Sequence, residues 1–312
     1  MKGLELSRLF YEEVVKPMLE HNFAELMPRI AAGLAGEGSQ CFGFDDEISQ
    51  DHDWGASVCL WLTAEDYTLF GEQLQQALYS LPRGFRGYPV SWVPGRNGVL
   101  EIGSFYKKYL AVEDIPQTIG QWLHIPEHHL AVASNGEVFA DPLGKFSAIR
   151  AELQKGYPED IRKKLLAGRC MNIAQAGQYN YPRVLSRGDK AAAVLTEAEF
   201  MRNVCSAVYL LNNRYAPFYK WMPYGMNTLP ILGQAVAKKF AELTAYPQSG
   251  MQEEDYYVGK IQIMQEICSM LIAELRRQGL SDSFDASLIE HGLQVHGRIA
   301  HEGLRTTNPW MQ

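Results

Sequence analysis

The chain has 312 residues, of which 46% are hydrophobic and 21% are charged, and its formal net charge at pH 7 is −7. This composition excludes a disordered or fibrous chain, and the negative charge argues against binding to nucleic acid or to a membrane surface. The 5 cysteines lack CxxC spacing and no apolar run is long enough to span a bilayer, so the sequence predicts a cytoplasmic protein without structural disulfides or zinc.

The first part of the chain alternates helical and strand patterns. Apolar residues at helical spacing predict an amphipathic helix over 5–28. Thr63 and Asp66 have the spacing of a capping box, which predicts a helix that continues through Tyr79. Short apolar runs and an Asn-Gly pair predict a hairpin over 130–139. The predicted strands before the hairpin are 29–35, 55–63, 88–93 and 99–102.

The second part of the chain is almost entirely helical in pattern. After Asp141-Pro142 the residue pattern changes from mixed strand and helix to almost continuous helix, which places a domain boundary near residue 140. The predicted class is α+β, with a small mixed sheet in residues 1–140 and a helical bundle in residues 141–312. The predicted helices of the bundle are 142–155, 158–178, 187–214, 228–245, 251–279 and 283–303.

The loop between the first two predicted strands carries the residues with the clearest chemistry. A Gly38-Ser39 turn offers backbone N–H groups and a hydroxyl to an anion. Asp51 and Asp53 precede the second strand, and residues two apart on a strand point to the same face. Two carboxylates that lie so close repel unless a divalent cation lies between them. Hard oxygen ligands favour Mg²⁺.

This combination resembles the signature of the DNA polymerase β-like nucleotidyltransferase superfamily, in which Gly-Ser precedes Asp-x-Asp. Here the spacer covers residues 40–50 and is one residue longer than the commonest form. The string from Gly36 to Gly55 is similar to the DUF4037 branch of that superfamily. The arrangement of an α/β domain before a helical domain resembles the antibiotic-modifying nucleotidyltransferases.

The resemblance implies a third carboxylate on a neighbouring strand, as a metal ligand or general base. Glu101, flanked by apolar strand residues, is the candidate, and the alternative is an edge-strand glutamate that faces solvent. Ser49, just before the aspartate pair, is included among the nucleotide-binding residues. The remaining acidic residues of the loop are predicted to form a solvated turn; they are Asp45, Asp46 and Glu47.

A second unusual stretch follows the predicted helix 187–214. Cations there could bind phosphate oxygens, and aromatic faces could stack on a base. The alternative is a helix end whose cations face the helix dipole and whose aromatic residues pack in the bundle. Lys190 is a further candidate for binding an anion, and the alternative is a helix start capped by Ser186 or Asp189 with a solvated lysine. The candidate residues of the stretch are Asn212, Arg214, Tyr215 and Lys220.

Taken with the resemblance, these residues predict a metal-dependent nucleotidyltransferase. It would move a nucleoside monophosphate from a nucleoside triphosphate to a hydroxyl of a small molecule or protein, with one or two Mg²⁺ ions held by Asp51, Asp53 and Glu101. The alternative is a catalytically silent nucleotide-binding or regulatory module of the same fold. A homodimer through the long helices of 251–303 is left open, and the acidic charge disfavours a tRNA acceptor.

Overall fold

The computed structural model describes residues 1–51, 54–245, 247, 249 and 251–310, with Asp51 described for its backbone alone. By its internal contacts the chain divides into two compact units, Met1–Lys155 and Gly156–Gln312. The first unit holds the sheets, and the described part of the second unit is helical. The predicted α+β class, with a small mixed sheet followed by helices, is confirmed.

The first unit is organised around a four-stranded sheet of order β5-β2-β1-β6. Strand β2 runs antiparallel to β1, with Gly33 opposite Cys59. It runs parallel to β5, with Cys59 beside Gly98 and Leu62 beside Glu101. A separate ribbon joins β3 to β4. The strands are β1 Ala31–Leu34, β2 Cys59–Leu62, β3 Gly84–Phe85, β4 Tyr88–Pro89, β5 Gly98–Glu101 and β6 Glu137–Ala140.

Helices pack on this sheet where the sequence places apolar stripes. The helix predicted over 5–28 is formed by α1, a π-helical turn at Tyr11–Val15 and α2, and it ends at Asn22. The Thr63 hydroxyl caps α4 by accepting a hydrogen bond from the Asp66 backbone N–H at 3.2 Å, as the capping pattern predicts. The helices of this unit are α1 Gly3–Phe10, α2 Lys16–Asn22, α3 Ser39–Phe42, α4 Ala64–Tyr79, α5 Ile102–Leu110, α6 Ile119–His124, α7 Glu127–Ser134 and α8 Lys145–Leu153.

The core of the first unit reaches beyond the predicted boundary at residue 140. Trp61 in β2 is fully buried, and its ring stacks on Phe146 of α8 with centroids 3.8 Å apart. The Tyr106 hydroxyl also donates a hydrogen bond to the Phe146 carbonyl at 3.0 Å. Helix α8 therefore belongs to the sheet-containing unit, and the compact units divide after Lys155.

The second strand and the hairpin differ from their predicted forms because of contacts between residues that are distant in sequence. The second strand begins at Cys59 instead of residue 55, because a side chain at Gly55 would meet the Pro89 carbonyl at 2.3 Å and the following residue, Ala56, bridges to Val90. The predicted hairpin over 130–139 is a helix, α7, followed by strand β6. The apolar run at 130–133 is buried as a helix instead of pairing as a strand.

The second unit is a helical assembly with a paired charge in its interior. The Lys260 ammonium contacts both carboxylate oxygens of Glu197, at 2.9 and 2.8 Å, and both side chains are largely buried. The helices are α9 Glu159–Ile173, α10 Tyr181–Ser186, α11 Lys190–Leu211, α12 Met222–Met226, α13 Gly233–Leu243, α14 Glu253–Arg277, α15 Leu288–Gly297 and α16 Glu302–Arg305. Among the described residues, no helix combines the length and apolar character that a bilayer crossing requires.

Candidate functional site

The strand directions give the sheet two chemically different ends. Because β1 is antiparallel to β2 and β2 is parallel to β5, the last residue of β1 lies at the same end as Cys59 and Gly98. We call this end the glycine-loop end, since residues 36–39 follow β1 there. Glu101 closes β5 at the opposite end, three residues from Gly98 or about 10 Å along the strand.

The glycine loop is held in place by hydrogen bonds to its backbone. Gly36 and Gly38 have φ angles of +121° and +109°, which residues with side chains rarely adopt. The Asn135 side chain binds both polar groups of Gly36, accepting from its N–H at 2.9 Å and donating to its carbonyl at 2.8 Å. Gly38 then immediately precedes α3, whose first residue is Ser39. The turn predicted at Gly38-Ser39 therefore has a fixed backbone.

Glu37, between the two glycines, forms ion pairs with cations from two other segments. Its carboxylate lies 2.9 Å from Arg96 Nε, in the turn before β5, and 2.8 Å from Lys108 Nζ on α5. The Tyr109 hydroxyl approaches the same carboxylate at 3.4 Å. We call Glu37, Arg96 and Lys108 the charge clamp. The three side chains are between 34% and 41% exposed, so solutes can reach the clamp.

The clamp changes the acidity of its carboxyl group. Partial burial alone would raise the pKa of Glu37, but the hydrogen bond and charge of Lys108, together with Arg96, outweigh it and lower the pKa below its usual value. Glu37 is therefore an anion at neutral pH and binds cations that are also suited to phosphate oxygens.

The aspartate pair lies at the limit of the described chain. Asp53 falls outside the described residues, and Asp51 ends a 3₁₀ turn that begins at Ile48, with its side chain outside the description. Strand β2 begins at Cys59, eight residues after Asp51. The described chain after the pair runs beside α3, because the Gln40 amide donates to the Ser57 hydroxyl at 3.2 Å.

The acidic turn before the pair is only partly solvated, contrary to the prediction. Asp45 is 2% exposed, and it accepts hydrogen bonds from the Gly3 N–H at 2.7 Å and the Trp54 indole at 3.1 Å. Asp46 is exposed and accepts hydrogen bonds from the backbone N–H and the hydroxyl of Ser49, both at 2.9 Å. The Ser49 hydroxyl thus stabilises its own turn, and this contact gives no support for a role in nucleotide binding.

Glu101 does not join the glycine-loop end. Its carboxylate caps α5 by accepting hydrogen bonds from the backbone N–H groups of Gly103, at 2.7 Å, and Ser104. The parallel register with β2 fixes it at the far end of the sheet. A cavity of about 650 Å³ opens there, and Glu101, Asp114, Lys145 and Glu152 are among its lining residues. These contacts are those of a helix cap and do not support the predicted metal site, so a metal-binding role of Glu101 with Asp51 and Asp53 stays a prediction.

The part of the chain that the structure describes forms no metal cluster of its own. Within that part, no group of three His, Cys, Asp or Glu side chains is placed to hold a metal ion. Asp51 and Asp53 stay the predicted donors for a hard cation. Two carboxylates suit Mg²⁺, which keeps several water or phosphate ligands.

The candidates in the second unit have different surroundings. Asn212 caps the end of α11, and its amide donates to the Ile231 carbonyl at 2.9 Å and accepts from the Ile231 N–H at 3.0 Å. Because these bonds occupy both polar groups of the side-chain amide, Asn212 has a structural role. Lys190 opens α11 and pairs with Glu253 at 2.6 Å, while Asp189 caps the helix as the alternative anticipated.

The aromatic stretch after α11 divides into buried and exposed residues. Tyr215 is 8% exposed and packs edge-on against Tyr157, with centroids 4.8 Å apart. Lys220 is exposed, and its ammonium lies 5.4 Å from the centre of the Trp221 ring. Arg214 is also exposed. The packing of Tyr215 agrees with the alternative prediction, in which the aromatic residues of this stretch pack in the helical bundle. Nucleotide contacts by Arg214 and Lys220 stay predictions.

Sequence reasoning missed the residues that surround the glycine loop. Arg96 lies in the turn before β5, and Lys108 lies near the end of α5, a helix that the sequence analysis does not predict. The sequence does contain one signal for Glu37, because a charged residue between two glycines is poorly suited to burial. Its partners could not be found without the parallel pairing of β2 and β5, which brings the turn before β5 to the loop.

The comparisons with known proteins agree with part of the sequence analysis. The family described as "Domain of unknown function (DUF4037)" matches residues 122–222, which confirms the predicted DUF4037 resemblance, although the match does not include the string from Gly36 to Gly55 on which the prediction is based. A solved structure described as a nucleotidyltransferase-like protein from Exiguobacterium sibiricum 255-15 is similar, with 12% identity and a TM-score of 0.37 over 91% of this chain and 89% of that chain. No curated protein matches the sequence.

Proposed function

We propose that this chain binds a nucleoside triphosphate at the glycine-loop end and transfers its nucleotidyl group to a hydroxyl. One observation carries the proposal: a backbone-held glycine loop and two partly exposed cations, Arg96 and Lys108, meet at one end of a mixed sheet. The described residues 54–58, which follow the aspartate pair, lead into β2 at that same end.

The proposed roles follow from charge and hydrogen-bonding capacity. The Ser39 hydroxyl and the loop backbone would hold phosphate oxygens, and Arg96 and Lys108 would neutralise their charge. Asp51 and Asp53 would hold Mg²⁺, which supplies further neutralisation of the triphosphate when it is bound. Glu101 has no part in this proposal, since it caps α5 at the other end of the sheet.

The proposed reaction is an in-line displacement at phosphorus. The acceptor hydroxyl oxygen forms a bond to the α-phosphorus, and the bond from that phosphorus to the α,β-bridging oxygen breaks. Pyrophosphate leaves with the bonding electron pair, and the hydroxyl proton is released. The product is an acceptor that carries a nucleoside monophosphate. Small hydroxylated molecules and protein side chains are the proposed acceptors, and the net charge of −7 disfavours a nucleic acid.

A second candidate is a nucleotide-binding module without catalysis. One observation favours it: Glu101, which was the predicted third carboxylate, is used to cap a helix away from the glycine loop. Such a module would bind a nucleoside triphosphate in the same place but would release no pyrophosphate. Both candidate functions therefore predict nucleotide binding, and only the first predicts turnover.

The test of transfer uses two labelled forms of each nucleoside triphosphate, with an extract of bacterial metabolites and proteins as the source of acceptors. We expect label at the α-phosphorus to move to an acceptor, and label at the γ-phosphorus to appear in pyrophosphate. Transfer should need Mg²⁺ and should vanish in Asp51→Asn/Asp53→Asn. The matched control is Glu101→Gln, which should retain transfer. Movement of the γ-label to the acceptor would contradict nucleotidyl transfer, and binding without any label movement would favour the silent module.

A further inference from the structure

The charge clamp has the composition of an occupied anion site. Donors from two segments, Arg96 Nε and Lys108 Nζ, converge on one carboxylate at 2.9 and 2.8 Å, and the Tyr109 hydroxyl points to the same group at 3.4 Å. Guanidinium, ammonium and hydroxyl groups are the donors that bind phosphate oxygens in proteins.

The anion in this site belongs to the loop that would receive the phosphates. Glu37 lies between Gly36 and Gly38, and Asn135 holds the loop by the backbone of Gly36. The side chain of Glu37 is 34% exposed, and the hydrogen bonds from Asn135 that hold the loop do not involve this side chain. Exchange of the carboxylate for another anion then needs rotation of one side chain and no change of fold.

We propose that Glu37 is an internal competitor for phosphate, which occupies Arg96 and Lys108 until a triphosphate displaces it. The inference rests on the proposed function, because it assigns a regulatory residue to the same site. The carboxylate keeps two cations paired in the absence of ligand, and it sets a threshold that weak monoanions do not overcome. A polyphosphate carries several negative charges, so it competes successfully with a single carboxylate.

The test measures binding of inorganic tripolyphosphate by isothermal titration, without divalent metal, so that neither a base nor the aspartate pair is needed. The variant is Glu37→Gln, which removes the charge and keeps the shape. The matched control is Glu113→Gln, since Glu113 pairs with the neighbouring Lys107 of α5 at 2.8 Å but lies outside the clamp. Each variant is checked by thermal unfolding before titration.

We expect Glu37→Gln to bind tripolyphosphate about tenfold more tightly than the unaltered chain, which corresponds to about 1.4 kcal/mol. Glu113→Gln should bind as the unaltered chain does. The gain should disappear in Glu37→Gln/Lys108→Ala. Equal or weaker binding by Glu37→Gln, or a gain that persists without Lys108, would overturn the inference.

Two further measurements separate the inference from its premise. If Glu37→Gln does not fold, Lys108→Ala in the otherwise unaltered chain should bind tripolyphosphate about tenfold more weakly than Lys107→Ala, since only Lys108 belongs to the clamp; equal affinities would overturn the inference. ATP with Mg²⁺ is titrated in parallel. Tight ATP binding that is insensitive to Glu37→Gln would refute the competitor role alone, whereas tripolyphosphate binding without any nucleotide binding would refute the proposed function alone.

Discussion

Glu37 follows one strand of the sheet and Glu101 ends another, yet the sheet gives them different partners. Glu37 follows β1 and meets Arg96 and Lys108 at the glycine-loop end. Glu101 ends β5 and accepts hydrogen bonds from backbone N–H groups of α5. The sequence correctly places Glu101 in a strand and predicts a metal ligand or general base there. It does not reveal that the backbone N–H groups at the start of α5 bind this carboxylate.

The capping role of Glu101 predicts a stability effect without a binding effect. We expect Glu101→Ala to lower the free energy of unfolding by about 1 kcal/mol, because the N–H groups of Gly103 and Ser104 lose their acceptor. Nucleotide affinity should not change. Urea unfolding and titration measure the two quantities, with the exposed Glu113→Ala as control. A large loss of nucleotide affinity at unchanged stability would restore Glu101 to the site.

The lowered pKa of Glu37 predicts a pH-dependent contribution to stability. Its folded-state pKa lies below the unfolded value of about 4.3, so the clamp stabilises the fold above that pH and loses its effect as the pH falls through the folded pKa. Urea unfolding should show Glu37→Gln less stable than the unaltered chain at pH 7, with the gap closing below about pH 4. A gap that stays constant from pH 7 to pH 3 would show that the charge of Glu37 does not stabilise the loop.

Among the elements, those with strong local signals are predictable and those set by distant contacts are not. The capping pattern at Thr63 and Asp66 correctly predicts the start of α4. The start of β2 is misplaced, because Gly55 passes against the Pro89 backbone, a contact that no local pattern encodes. The short apolar run at 130–133 fits either a strand or a buried helix, and packing in the first unit decides for the helix.

The end of α11 supplies a prediction at the same scale. Asn212 ties this helix end to the backbone of Ile231 by two hydrogen bonds. We expect Asn212→Ala to lower the free energy of unfolding by about 1–3 kcal/mol, since it leaves polar backbone groups without partners. The nearby exposed Lys220→Ala should change stability by less than about 0.5 kcal/mol. Equal effects of the two variants in urea unfolding would argue against a structural role for Asn212.

For the molecule as a whole, the sequence predicts the order of sheet and helices but places the division too early. The predicted change to a helical pattern after residue 140 is correct, since helices follow, but the first of these helices, α8, packs on the sheet. Phe146 stacks on the buried Trp61, and Leu153 is fully buried. A helix can belong to either neighbour, and the choice depends on contacts that are distant in sequence.

This division predicts different behaviour for two fragments of the chain. We expect a fragment of residues 1–155 to unfold cooperatively, because it retains α8 on the sheet. A fragment of residues 1–140 should lose the near-ultraviolet circular dichroism of the packed Trp61 ring, since Phe146 is absent. Cooperative unfolding and an intact aromatic signal in the shorter fragment would support the earlier boundary.

The central claim is that the glycine-loop end binds a nucleoside triphosphate with the help of the aspartate pair. Isothermal titration of ATP, GTP, CTP and UTP, with and without Mg²⁺, tests it most directly in the unaltered chain and in Asp51→Asn/Asp53→Asn. We expect at least one nucleotide to bind with Mg²⁺ and to lose its affinity in the double variant. The absence of binding by all four nucleotides to the folded chain, or equal binding by the double variant, would contradict the claim.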